Sequence, residues 1–170
     1  MRDAELHLLA TGNFVTLELT DKDILPIAVH DCELGDIEAT FGGFQKSDRR
    51  MKLFSKLTEY VHALKSADIR GSLIVDGSFV MGCVDEPDDI DVVLILAEDW
   101  DLTADLKPYQ YNLVSKRDVK RKFPIEVYPV IAGTEPEKNW TDFFHKINVK
   151  WYEPFSFETG AQKGVVRIQL

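Results

Sequence analysis

The stretch Val75-Asp76-Gly77-Ser78, followed after ten residues by Asp89-Ile90-Asp91-Val92, decides how this chain is read. Around it, residues 72–76 read as one strand and residues 89–97 as the next. Beyond Asp91 the second strand is apolar on both faces: Val92, Leu94 and Leu96 on one, Val93, Ile95 and Ala97 on the other. A strand buried on both sides belongs in the middle of a sheet covered by helices. Its acids, confined to its first residues, must then lie where the sheet meets solvent or a ligand.

Outward from this centre, Ser47 is placed to cap a helix running to about residue 67, with Met51, Phe54, Leu57, Val61 and Leu64 as its apolar stripe. Arg49 and Arg50 stand in its first turn, where the helix dipole disfavours cations. They read either as an exposed surface pair or as the mark of an anionic ligand nearby. A helix over residues 115–122, ended by Pro124, leads to a third strand at 125–131, which Pro129 pushes toward a sheet edge. The remaining expectations are a weak strand at 14–19, an extended lead-in at 25–31 and a short helix ending at Phe41 before Gly42-Gly43. A helix near 141–147 and a last strand at 164–170 complete them. The fold class is α/β (α+β): a mixed sheet flanked by helices, in a single domain over residues 1–170 with its core at about 47–131. A chain of 170 residues is long enough to bury such a core.

On a strand, Asp89 and Asp91 point to the same face, about 6–7 Å apart. Two ionised carboxylates at that separation repel by about 2–3 kcal/mol at a protein-like effective dielectric, and a cation relieves the repulsion. All-oxygen ligands favour Mg²⁺ or Mn²⁺ over zinc. A divalent ion held there can bridge the phosphate oxygens of a nucleotide, neutralise developing charge and activate an attacking hydroxyl. Gly77 removes a side chain so that backbone N–H groups can approach phosphate. Ser78 adds a hydroxyl at the start of whatever turn or helix follows, a favourable place for anions. A third carboxylate would hold the metal that activates the nucleophile, and Glu126 is the acid embedded in the third apolar strand.

A net charge of −9 argues against a nucleic-acid partner, since affinity for the phosphate backbone comes from clustered Lys and Arg. One basic cluster stands out: Lys116, Arg117, Lys120, Arg121 and Lys122. It reads as a solvated helix face or as a contact to phosphate or acceptor. The longest strongly apolar run, residues 92–97, is too short for a bilayer, so no membrane association is expected. No basic segment followed by an apolar core is visible at the N-terminus, and Cys32 and Cys83 form no metal-type pair. A cytoplasmic location is the expectation. Trp140, Trp151, Phe143, Phe144 and Phe155 read as aromatics that close the core rather than stack bases.

Gly-Ser, a ten-residue spacer, Asp-Ile-Asp between apolar residues and a later strand-borne acid together resemble the DNA polymerase β-type nucleotidyltransferase superfamily. More narrowly, the Asp-Gly-Ser-Phe-Val turn and the Leu-Pro-x-x-Val-His lead-in resemble a small bacterial branch of it. The core likeness covers about residues 47–131, and the lead-in with Lys163 to Arg167 extends it over most of the chain. The resemblance implies a nucleoside triphosphate as donor and Mg²⁺ or Mn²⁺ as cofactor. It implies Asp89 and Asp91 as ligands for both metals, Glu126 as the acid aligning an acceptor hydroxyl, and Gly77 and Ser78 as the phosphate-binding turn.

Several features depart from that pattern. Residues 79–88 hold no Lys or Arg, where many active relatives place a basic residue, and they add Asp85 and Glu86. Asp76 is an acid where many relatives are apolar. No sizeable C-terminal helical domain is present to form a base pocket. The competing expectation is therefore a catalytically weak or inactive binding module of the same fold, acting through a protein partner in an antitoxin-like or regulatory role.

Overall fold

The computed structural model describes residues 16–101, 103–104 and 106–170. Strand β1 (Val29–Asp31) leads into α1 (Leu34–Phe41) and the long α2 (Arg49–Ser66). Then come β2 (Gly71–Asp76), a single 3₁₀ turn at Ser78–Val80, and β3 (Ile90–Leu96). Helices α3 (Pro108–Val114) and α4 (Lys116–Lys122) precede β4 (Ile125–Ile131). Helix α5 (Glu135–Phe144), a 3₁₀ turn at Val149–Trp151, α6 (Tyr152–Phe155) and β5 (Val165–Gln169) follow. This is an α+β fold with one mixed five-stranded sheet, ordered β1-β5-β2-β3-β4. Among the described residues, no helix is long and apolar enough to cross a membrane.

The central strand behaves as its sequence requires. Val92, Leu94 and Leu96 pack into the larger core with Leu53, Leu57 and Val119. Val93 and Ile95 pack on the other face with Val130 and Phe144. Strand β4 lies parallel to β3 at the sheet edge, where the missing N–H of Pro129 costs no ladder bond.

Four local expectations change. The buried face of α2 is Arg50, Leu53, Leu57, Tyr60, Val61 and Leu64, whereas Met51 is 49% exposed. The stripe is rotated because Arg50 points inward, which carries Leu53 and Tyr60 in and Met51 out. Helix α5 starts six residues before the expected 141. Thr134 at its N-cap, Pro136 in its first turn and the early acids Glu135 and Glu137 are the start signals that place it. Helix α3 is an addition that Pro108 opens, and Ser115 ends it while capping α4 through the Asp118 N–H. Of the expected first strand, residues 14 and 15 lie outside the described residues and 16–19 join no strand, although Leu17 is buried in the larger core.

Arg50 corrects both readings of the first turn of α2. It is 1% exposed, neither a surface accident nor a ligand contact. Its guanidinium donates to the carbonyls of Phe41 (3.1 Å), Phe79 (2.7 Å), Met81 (2.7 Å) and Val84 (2.5 Å). The basic-free spacer is thus wrapped around a cation supplied from outside it. Arg49 adds a hydrogen bond to the Asp88 carbonyl at 2.8 Å. Arg50→Met would leave four buried carbonyls without that donor, at about 1–3 kcal/mol per unsatisfied group. Urea unfolding should show a loss of at least about 3 kcal/mol for Arg50→Met, against less than about 1 kcal/mol for Met51→Ala.

Candidate functional site

Register brings together residues that are far apart in the chain. Asp91 pairs with Asp76 on β2 and with Glu126 on β4. Partners across neighbouring strands face the same way, so three carboxylates form one row at one end of the sheet. Asp89 lies one position ahead of the β3 ladder. A cavity of about 650 Å³ opens over the Asp76 and Asp91 end of the row; Asp76, Asp89, Asp91, Gly77 and Ser78 all line it, and Glu126 lies outside its lining. The chain turns at Gly77 (φ 79°) into the short 3₁₀ turn, and Asp76 and Ser78, two positions apart, line the same cavity.

Gly77 also has a steric task. A Cβ built there would lie 2.2 Å from Asp91 Oδ2. The missing side chain makes room for the Asp91 carboxylate, in a backbone conformation that favours glycine. Ser78 begins a 3₁₀ turn of three residues, too short to present a helix dipole to an anion.

The row is electrostatically graded. Asp76 and Lys163 are each 2% exposed and form a buried ion pair, and the Lys163 ammonium also lies 3.5 Å from the Phe144 carbonyl. Burial pushes the Asp76 carboxyl upward, against the pull of that ammonium. Among the described residues Asp91 forms no such pair, and burial, then Asp89, Asp76 and Glu126, raise it to about 7. Asp89 is raised as well, by burial and then by Glu126. Glu126 goes the other way: its hydrogen bond from Lys120 holds it below the usual carboxylate range, aided by Tyr128, whose hydroxyl donates at 3.0 Å.

These geometries settle two further expectations. The basic cluster is a solvated helix face: Lys116, Arg117, Lys120, Arg121 and Lys122 are all exposed, and the ion pairs they make lie at the surface. Lys120 and Lys116 reach around the sheet edge to Glu126, and Arg121 pairs with Asp118 at 3.1 Å. Asp85 and Glu86 are exposed and line no part of the cavity, so their charge stays outside it, whereas Asp88 at the end of the spacer is on its lining.

Sequence reasoning missed the cavity's far wall. It comes from residues 143–152 and 160–163, a segment tied across itself by Ile147 N–H to the Ala161 carbonyl (3.1 Å) and Lys163 N–H to the His145 carbonyl (2.8 Å). Phe144 is buried as expected, and Trp140 packs against the same cluster. Phe143 is not a core residue; it is 55% exposed on the cavity lining. The Asn148-Val149-Lys150-Trp151-Tyr152 run was the available signal, because it mixes aromatics, amide and cation at a chain reversal.

The donor set fits a divalent cation in part. Asp89 and Asp91 are under-neutralised oxygens on one cavity, which is the chemistry a hard cation relieves. Glu126 is turned to Lys120 and Tyr128, and among the described residues no group of three or more His, Cys, Asp or Glu is arranged to hold a metal.

The model of DUF6932, a family of unknown function, matches residues 17–169. The chain belongs to that family. The DUF6932 match spans the whole sheet, the acid row and the far wall alike. Comparison with curated proteins and with solved structures gives no match.

Two measurements follow from the charges. Lys163→Met strands a buried carboxylate and should cost about 3–5 kcal/mol in chemical denaturation, most of it recovered when Asp76→Leu is added. Asp91 ionises near 3.8 in the unfolded chain and near 7 in the folded one, so between those values the folded state holds a proton that the unfolded state has lost. Its stabilising contribution is complete below the lower value and disappears as pH rises through the upper one. In chelator at about pH 8, Asp91→Asn should be more stable than wild type by about 2–4 kcal/mol, and the gap should narrow toward about pH 4.

Proposed function

We propose that the chain is a metal-dependent nucleotidyltransferase of the DNA polymerase β type, moving a nucleoside monophosphate from a triphosphate to a hydroxyl acceptor. The observation that carries this reading is the under-neutralised Asp89–Asp91 pair on a cavity it shares with the Gly77-Ser78 turn. A supporting observation is the order α2, β2, Gly-Ser turn, β3, helices, β4, with Glu126 in register with Asp91. Asp89 and Asp91 would hold Mg²⁺ or Mn²⁺, which supplies charge neutralisation at the reacting phosphate and acidifies the acceptor hydroxyl. The bond from acceptor oxygen to the α-phosphorus forms as the bond from that phosphorus to the β-phosphate oxygen breaks, releasing pyrophosphate. Glu126 aligns the acceptor and takes its proton once Lys120 is displaced.

One observation favours a second reading. Glu126 is committed to Lys120 and Tyr128, which suits a non-catalytic module of this fold that binds nucleotide weakly or not at all and acts through a protein partner.

Thermal unfolding with each of the four NTPs, with and without Mg²⁺ or Mn²⁺, separates the two. A ligand that binds only the folded state raises the midpoint, by about 2.7 kcal/mol of stabilisation at a hundredfold excess over Kd. A metal-dependent rise with at least one nucleotide, absent in Asp89→Asn, is the expected result. No rise with any nucleotide moves the assignment to the partner-binding module.

A further inference from the structure

The far wall of the cavity has a composition that the acid row does not explain. Phe143 and Val149 are 55% and 74% exposed, yet both line the cavity, and Trp151 and Tyr152 continue the same surface. Single exposed apolar side chains carry no meaning, but a group of them on one concave wall is what an apolar or aromatic ligand covers. The wall is held in place by the hydrogen bonds between 147 and 161 and between 163 and 145, so it needs no rearrangement to form.

The same wall carries cations. Lys146 and Lys150 are exposed on the cavity lining, and among the described residues neither is in an ion pair. Lys150 is close enough to Asp89 to draw its carboxyl down against the other influences. Its ammonium sits 4.8 Å from the centre of the Trp151 ring, so cation and aromatic face form one unit. Amide groups complete the surface: the Asn148 side-chain oxygen accepts from the Lys150 N–H at 3.0 Å, its NH₂ donates to no partner among the described residues, and Gln162 lies alongside. A volume of about 650 Å³ falls within the about 300–1,000 Å³ range of small-molecule sites.

We propose that this wall is the donor pocket: the base of a nucleoside triphosphate lies against Phe143, Val149 and Trp151, and its phosphates reach Lys146 and Lys150. The inference rests on the nucleotidyl-transfer reading and extends it. It assigns the basic role missing from residues 79–88 to a segment about 60 residues later, and it puts the base pocket on a strap before the last strand. Lys163 is excluded from the phosphate role because its charge is already matched by Asp76. Four acids and three lysines line the cavity, so a polyanion enters favourably only together with a divalent cation.

The test is calorimetric titration of the full chain with ATP, GTP, CTP, UTP and inorganic tripolyphosphate, each with Mg²⁺. Two double variants are compared, Phe143→Ser with Val149→Ser and Lys146→Ala with Lys150→Ala. All four positions are exposed, so both should fold, and an unchanged melting midpoint verifies it. Expected for the apolar double is NTP binding weakened about tenfold or more with tripolyphosphate binding unchanged. The lysine double should weaken NTP and tripolyphosphate by a common factor. Unaltered NTP affinity in both doubles, with binding still lost in Asp89→Asn, overturns the pocket and leaves the acid site standing. Mg²⁺-dependent NTP binding that Asp89→Asn retains but the doubles lose supports the pocket and overturns the acid-site reading. A folded wild type that binds none of the five probes overturns both.

Discussion

Like charges on neighbouring strands repel, and the register of β2, β3 and β4 places Asp76, Asp91 and Glu126 side by side in one row. The cations at this end of the sheet are disposed around that row. Lys163 is buried against Asp76, while Lys120 and Lys116 come over the edge strand to Glu126. Among the described residues no cation pairs with the middle of the row, and there the carboxyl rises to about 7. A sheet that needed only stability would fill this position with an apolar residue, as it does one step further along β3 at Val93, which is fully buried. The cost is tolerated at one position, at the mouth of one cavity, and strain concentrated at such a place is the usual sign of function.

Arg50 fixes the loop between the two motif strands. Four carbonyls converge on its guanidinium, three of them from residues 79, 81 and 84, between the Gly-Ser turn and the acid pair. The loop therefore leaves β2 and enters β3 at set positions, and the Gly77 turn is held against Asp91. A buried cation that satisfies only main-chain oxygens adds no charge to the cavity itself. This is why a spacer without Lys or Arg is still firmly placed, and why the cations of the cavity have to come from the C-terminal half of the chain.

The central strand was legible because six apolar residues in succession admit one environment, and the edge position of β4 because Pro129 admits few others. The acid pair was legible from its spacing alone. Asp76 and Lys163 were not, because a buried ion pair joins residues 87 positions apart and neither has a local signal. Arg50 was misplaced for the same reason: helix periodicity treats arginine as polar and outward, and only tertiary carbonyls turn it in. The cavity wall at 143–163 was hidden because its aromatics look like core residues in sequence. Whether Phe143 faces the core or the cavity depends on the helix start at Thr134-Glu135-Pro136, which sets the rotation of α5.

The three acids of the row differ in how readily their neighbours can be exchanged, and burial decides the order. The Asp76–Lys163 pair is out of water, so separating it would leave a charge stranded at a cost of several kcal/mol, and it acts as a fixed anchor. The Glu126 carboxylate is 23% exposed and its Lys120 partner 54%, a setting in which an ion pair contributes about 0–1 kcal/mol net because water and salt screen it. Lys120 can therefore be displaced from Glu126 at little cost by a stronger cation or by an incoming hydroxyl, whereas Lys163 cannot be displaced from Asp76. Between them, Asp91 has oxygens but, among the described residues, no paired cation. Across three strands the sheet presents one acid that is committed, one that is waiting and one that is held on loan, and a ligand bringing positive charge would engage the last two without disturbing the first.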